Sequence, residues 1–383
     1  MVSRARHHFS MRRPTSDTGF QNTSLWLASR RPGGLFCEKG HAPECEVEME
    51  VTVALDAMGG DYAPAEPVAG AIEAVKEFGD ISVILVGREA DIKAELDKHS
   101  NYPKDKISVV HAEEIIDMGE VPTLAIKEKK NSSLVVAMKL VHDGKADAIV
   151  SAGSTGAILV GGQLVVGRIK GVKRPALAPF LPTKKGMSLL IDCGANVDAK
   201  PENLLQFAQM GSIYYENVMG VKNPTVGIIN IGTEEEKGNK LVKETGPLLK
   251  ECGDINFIGS VEARDIPSKP SQVLVCEAFV GNVVLKLYEG LAKTFLGVIK
   301  KAIYKSAKTK IGGALIKNSL KEQLKTFDTS SQGGAPLLGL KGLVVKAHGN
   351  SKSFEIKTAI GQCITFKKND ISAKIAKVVA KDE

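Results

Sequence analysis

From Val51 onward, short runs of β-branched and aliphatic residues alternate with amphipathic stretches of helix length, and this alternation restricts the chain more than any other feature. Strand candidates fall at 51–55, 82–86, 108–111, 148–151, 189–192, 225–230, 256–259, 272–276 and 343–347. Strands separated by helical patterns form right-handed βαβ units. The expectation is therefore an α/β fold, an α/β/α sandwich around a mainly parallel sheet. No internal repeat or Pro/Ser-rich linker interrupts the pattern. Residues 49–383 read as a single domain with a protruding helical pair at about 288–330.

Residues 1–48 break the pattern, with Arg pairs at 12–13 and 30–31, Ser, Thr, Asn and Pro in excess, and no sustained periodicity. They read as a disordered leader or a non-native extension ahead of Met49. A transit peptide is the alternative, and the lack of an apolar core argues against a secretory signal. Cys37, His41 and Cys45 lack a fourth ligand and the usual spacing, so no metal is expected. The six cysteines are scattered, with no C-x-x-C pair, which fits a reduced cytoplasm. At 43% hydrophobic and 25% charged residues the chain is neither a disordered polymer nor a disulfide miniprotein. No run reaches the roughly 18 apolar residues of a membrane span.

The net charge of +7 matters for its location: between residues 290 and 325, nine lysines stand against one acid, Glu322. This segment reads as two helices meeting near 309–313, with Lys308 and Lys310 beside the apolar Ile311 and Leu315. Such a surface suits plain solvation, an acidic carrier protein or an anionic lipid face. Few aromatics and no binding motif argue against nucleic acid.

In open parallel sheets, ligands bind beyond the carboxyl ends of strands. Asp56-Ala-Met-Gly59-Gly60-Asp61 follows the first strand, and its glycines permit close backbone approach, though such a turn serves structure as readily. Ser154, Thr155 and Gly156 open a helix whose N–H groups and hydroxyls suit a phosphate, or simply cap it. Asn196, Asp198 and Lys200 precede another helix. Gly232, Thr233, Lys237 and Asn239 follow the most hydrophobic strand, where Lys237 either meets a bound anion or balances three glutamates. Gly281 and Asn282 open a further helix, with Asn282 a cap or an amide donor to a substrate oxygen, and His348 follows the last strand. The P-loop, the G-x-G-x-x-G fingerprint and the G-x-S-x-G elbow are all missing, which lowers nucleotide hydrolysis, hydride transfer and serine hydrolysis.

Taken in order, the strings A-L-D-A-M-G-G-D (54–61), K-K-N-S-S (129–133), S-A-G-S-T-G-A (151–157), G-R-I-K-G-V-K-R-P-A-L-A-P (167–179), D-C-G-A-N-V-D-A-K-P-E (192–202), N-I-G-T-E-E-E-K-G-N (230–239), F-I-G-S-V-E-A-R-D (257–265) and K-A-H-G-N-S (346–351) make 50–383 resemble the bacterial acyl-carrier-protein:phosphate acyltransferase family. The resemblance implies a Rossmann-like fold related to phosphotransacetylases and isocitrate-type dehydrogenases, acting as a homodimer without a cofactor. It implies attack by inorganic phosphate on the thioester of an acyl carrier protein, giving acyl phosphate for phospholipid synthesis, with a phosphotransacetylase acting on coenzyme A thioesters as the alternative. Lys237 and Asn282 become the catalytic pair, and the loop residues named above become substrate or phosphate contacts. It also implies a cytoplasmic protein held peripherally on an anionic membrane through the lysine-rich tip, with the downstream glycerol-phosphate acyltransferase as a further partner. Two departures stand out: Glu277-Ala-Phe-Val280 replaces the family's Asp-Gly-Phe-Thr, and Gly60-Asp61-Tyr62 replaces Gly-Asp-His.

Overall fold

The computed structural model describes residues 50–268, 271–325 and 333–380, so the leader and the Cys37, His41 and Cys45 group lie outside the described residues. The chain begins with β1 (Val51–Asp56), α1 (Ala65–Glu77), β2 (Ile81–Gly87), α2 (Glu89–Leu96) and β3 (Ile107–His111). It continues through α3 (Pro122–Glu128), α4 (Ser133–His142), β4 (Ala148–Ser151), α5 (Thr155–Gly161), whose helix runs on as a wider turn to Val166, and β5 (Ala176–Leu177). A second set follows: β6 (Phe180–Thr183), β7 (Gly186–Ile191), α6 (Pro201–Met219), β8 (Thr225–Asn230), α7 (Lys240–Glu251), β9 (Asn256–Glu262) and β10 (Val273–Val275). Then come α8 (Ala278–Ile303) and α9 (Ala307–Lys325), before β11 (Ala335–Leu338), β12 (Leu343–Lys346), α10 (Ser353–Lys368) and α11 (Ile371–Val379).

These strands form two sheets where the alternation predicts one. The seven-stranded sheet runs β3-β2-β1-β4-β12-β11-β5 and the five-stranded sheet β6-β7-β10-β8-β9. Parallel pairing dominates; β11 and β6 supply the antiparallel ladders. All nine expected strands are present, and β5, β6 and β11 are additional. Pro175, Pro179, Pro182 and Pro336 hide them, because proline removes a ladder donor and reads as a break. Pro182 is tolerated because β6 is an edge strand. The two sheets share their cores: one hydrophobic cluster joins Val53 and Val345 to Leu189 and Val275, and the other joins Ile149 and Val344 to Leu190 and Leu274.

Helix α8 docks only at its start. Ala278 and Gly281 are its buried residues, while from Gly290 onward its apolar side chains, Leu291, Phe295 and Val298 among them, stand exposed, so that α8 and α9 form the protruding pair. The two helices meet at Tyr304–Ser306, earlier than the glycines at 312–313 suggest. Ser306 and Thr309 exchange N–H to hydroxyl bonds of 2.9 and 3.2 Å, a reciprocal cap that starts α9 there. Gly313 lies within the helix, and a Cβ on it would come 2.4 Å from Ile303.

Gly281 sets the position of α8, since a Cβ there would lie 1.9 Å from the carbonyl oxygen of Asp192. Gly281→Ala is expected to cost at least about 1–3 kcal/mol, the range for overpacking, and to lower the melting temperature by several degrees. Gly290→Ala, in the same helix with nothing within 4 Å of the new Cβ, should leave the temperature unchanged or raise it. Equal behaviour of the two variants in a thermal melt would contradict this docking.

Candidate active site

The strand ends converge through buried polar side chains. Asp56 closes β1 and is 2% exposed; its carboxylate accepts the Ser151 hydroxyl of β4 at 2.7 Å and the Met58 N–H at 3.3 Å. Burial pushes its pKa up, and hydrogen bonds from Ser133, Ser151, Met58 and Gly59 oppose that rise. Ser151 in turn accepts the Gly153 N–H at 3.0 Å. The Asp61 N–H donates to the Gly349 carbonyl at 2.7 Å, and Gly60 takes a φ of +99° that brings it against Ala152 and Gly349. Three of the predicted loops, after β1, β4 and β12, are therefore in mutual contact.

Asp192 does the same work after β7. It is fully buried and accepts N–H groups from Leu177, Gly194, Ala195 and Asn196 at 2.8–3.2 Å, together with the Asn196 amide at 2.8 Å. The Asn196 amide also donates to Pro175. After β8, Asn230 accepts the Ile231 N–H and donates to the Lys237 carbonyl and the Ser260 hydroxyl.

Beyond the ends of β4, β7 and β12 lies a cavity of about 580 Å³, with α8 along one side. Leu177, Phe180, Leu181, Leu285 and Ala292 give it an apolar wall. Its polar lining includes Thr155, Asn282, Lys286, Glu289, Lys346 and His348. Lys286 donates to Glu289 at 2.9 Å, and Glu289 lies 3.8 Å from His348 Nε2. Lys346 is held mostly out of water, and burial lowers its pKa to about 8.

Of the residues singled out in the sequence, Thr155, Asn282 and His348 line this cavity. Asp56 and Asn196 lie beneath the loops, spending their polar atoms on holding them. Gly281 and Gly156 are packing positions, the latter against Pro122. Asn239 caps α7 by accepting the Val242 N–H at 2.9 Å, and Asp198 and Lys200 are exposed at the approach to α6. Ser154 is buried and makes no side-chain cap. Lys237 lies on the loop after β8, half-exposed and 2.9 Å from Glu234, which raises its pKa and keeps it charged; its stem crosses Gly232, beside Thr233. Sequence reading missed Lys346, Lys286 and Glu289. The only signal for Lys286 and Glu289 is their helical spacing from Asn282, at i+4 and i+7.

Residues 51–374 match a family model described as fatty acid synthesis protein. The phosphate acyltransferase of Clostridium novyi is 53% identical over 84% of this chain and 97% of that relative. The chain belongs to the phosphate acyltransferase family. It is an enzyme of that family. The relative from Alkaliphilus oremlandii, also a phosphate acyltransferase, is 52% identical over 86% of this chain and 97% of its own length. In fold the chain is similar to a phosphotransacetylase from Streptococcus pyogenes, with a TM-score of 0.56 and 16% identity over 84% of this chain and 96% of that one. Among the described residues no cluster of His, Cys, Asp and Glu is arranged to hold a metal, and no helix is long and apolar enough to cross a membrane.

The two departures from the family strings have structural uses. Glu277 caps α8, accepting the Phe279 and Val280 N–H groups at 2.6 and 2.9 Å, the task a shorter aspartate performs at a helix start. The Tyr62 ring lies under the Lys352 ammonium at 3.2 Å from its centroid, tying the β1 loop to the segment before α10. Glu277→Ala should cost about 1 kcal/mol of stability and reduce turnover, because Asn282 directly follows the capped first turn of α8, while Glu277→Asp should restore both. Thermal melts alongside turnover check this, and an Ala variant with wild-type turnover would separate the cap from the site.

Proposed function

We propose that this enzyme transfers a fatty acyl group from the thioester of an acyl carrier protein to inorganic phosphate, giving acyl phosphate for phospholipid synthesis. The observation that carries the reading is the cavity itself, which sets an apolar wall suited to an acyl chain beside Asn282 and two lysines. A phosphate oxygen attacks the thioester carbonyl, the C–O bond forms and the C–S bond breaks. The sulfur leaves with its electron pair as a thiolate and then takes a proton. A thiolate is a good leaving group, and a phosphate dianion is already nucleophilic, so the work left to the protein is orientation and charge stabilisation.

In this reading the Asn282 amide donates to the oxyanion, and Lys237 neutralises and aims phosphate after parting from Glu234. That ion pair is solvent-exposed and of the kind that opens at small cost. A second reading, transfer from coenzyme A thioesters, draws on the phosphotransacetylase fold. Competition between acyl carrier protein and coenzyme A thioesters of the same chain length separates the two. Lys237→Ala and Asn282→Ala should each slow phosphate-dependent thiol release by at least about tenfold, or roughly 1.4 kcal/mol of barrier. Near wild-type rates in both variants would remove this pair from the mechanism.

Val283, Leu287, Leu291 and Phe295 recur every four residues along α8 and are all exposed, a stripe that a second copy in a homodimer would cover. The α8–α9 tip exposes Ile311 and Leu315 among lysines, including Lys308 and Lys310, and we assign it to an anionic membrane surface on the cytoplasmic side, near the downstream glycerol-phosphate acyltransferase. Ile311→Glu with Leu315→Glu should reduce co-sedimentation with phosphatidylglycerol vesicles while cleavage of soluble acyl carrier substrate persists. Lost cleavage in a folded variant would move the tip's role to carrier or acyl-chain binding.

A further inference from the structure

Lys346 ends β12, the strand between β4 and β11 inside the seven-stranded sheet. Side chains alternate along a strand, so Lys346 shares the face of Val344, whose cluster takes in Val280, Val284, Leu285 and Tyr288 of α8. The lysine thus continues a core row out of the sheet and into the cavity beside α8. Its ammonium donates to the Ala347 carbonyl, and among the described residues it makes no ion pair.

Most of the charged groups around it are otherwise engaged. Glu289 on α8 takes the Lys286 ammonium at 2.9 Å and faces His348. Asp56 accepts from Ser151 and Met58. Asp61 acts on Lys346 only as a more distant favourable charge, as does Asp56. Glu355 on α10 accepts the Lys352 N–H at 2.9 Å. Lys286 adds repulsion. A desolvated ammonium without a counter-charge is costly, and a ligand anion offsets that cost. Lys346 is the cation left over in a cavity whose other lysine is already matched.

We propose that Lys346 binds the phosphate that attacks the thioester, supplying the resident positive charge for the dianion in the cavity that holds Asn282. This rests on the phosphate acyl-transfer reading above. Lys346 holds non-attacking oxygens of the phosphate and exchanges no proton during the transfer. In the free enzyme burial, first, and Lys286, second, lower the Lys346 pKa to about 8 against the pull of Asp61 and Asp56. The lysine therefore loses its charge as pH rises through about 8, and a bound dianion holds the proton on. The loss belongs to the free enzyme and appears as a rising KM for phosphate, with kcat at saturating phosphate unaffected.

The test measures thiol release from acyl carrier protein thioester against phosphate concentration for wild type, Lys346→Met and Lys346→Arg, from about pH 7 to 9.5, a range in which arginine stays charged. Lys346→Met should raise the KM for phosphate at least about tenfold, equivalent to roughly 1.4 kcal/mol. Its KM for the acyl carrier substrate should stay close to wild type. Lys346→Arg should lose the alkaline rise in phosphate KM, and the ionisation of phosphate itself divides out of the ratio to wild type. A folded Lys346→Met with unchanged phosphate KM, or the same alkaline rise in Lys346→Arg as in wild type, overturns the proposal. If Lys346→Met does not fold, the Lys346→Arg profile decides alone. If wild type cleaves thioester without needing phosphate, the acyl-transfer reading fails by itself. Calorimetric titration of wild type and Lys346→Arg with inorganic phosphate at both ends of the pH range then decides the lysine separately: tighter alkaline binding by the arginine variant supports it, and identical pH dependence sinks it.

Discussion

The site depends on one kind of interaction, a buried polar side chain at the end of a strand or just beyond it that takes up N–H groups of the loop it begins. Loops over the carboxyl ends of parallel strands carry backbone donors that neither sheet nor helix satisfies, and leaving them buried and unpaired costs free energy. Asp192 alone accepts four backbone N–H groups and one side-chain amide, so the segment from Asp192 to Asn196 wraps around its own first residue. Asp56 fixes the β1 and β4 loops together through Ser151. Asn230, an amide that donates as well as accepts, folds the Lys237 loop back on itself. Turns held in this way are what a preorganised site requires, and those after β4, β7 and β12 supply Thr155, Gly194 and His348 to the cavity.

Close approach completes the geometry. The carbonyl of Asp192 faces α8 across a gap that admits only the glycine at 281. The same residue whose carboxylate shapes its loop therefore also seats, through its backbone, the helix that carries Asn282 one position later. Asn282, Leu285, Lys286 and Glu289 follow at helical spacing and present one face of α8 to the cavity. Stability and chemistry are joined at this contact, because moving Gly281 by an ångström moves every α8 side chain in the cavity with it.

Much of this was legible in the sequence. The βαβ rhythm specified nine strands and the parallel character of the sheets, since hydrophobic period and turn chemistry are local properties. Division into two sheets was not legible: β5, β6 and β11 are short and carry or adjoin prolines, and although β6 and β11 each pair with the next strand in sequence, β5 joins β11 only across the whole second set of strands. Glycine and Asx chemistry marked loops at the strand ends, but not which of their side chains face the cavity. An asparagine that caps a helix, such as Asn239, and one that faces a cavity, such as Asn282, are the same residue type in the same kind of position, and only burial and partners separate them. Lys346 falls inside the strand expected at 343–347 and in the K-A-H-G-N-S string, and neither singles it out; its burial and its lack of an ion pair among the described residues emerge only from the fold.

Helix α8 ties the two ends of the molecule's chemistry together. At about 1.5 Å per residue its 26 residues span about 39 Å, from the buried start beside Asp192 to the exposed junction with α9. Its first turns are fixed by a glycine contact and the Glu277 cap, whereas everything beyond Gly290 meets no core. A lever with one clamped end moves least at the clamp, so whatever the tip touches can shift the distal turns without displacing Asn282. Leu285 and Ala292 lie in between, where the helix leaves the clamp. The exposed end of α8 can therefore flex while its start stays fixed, and the apolar wall of the cavity sits on the part of α8 that connects the two.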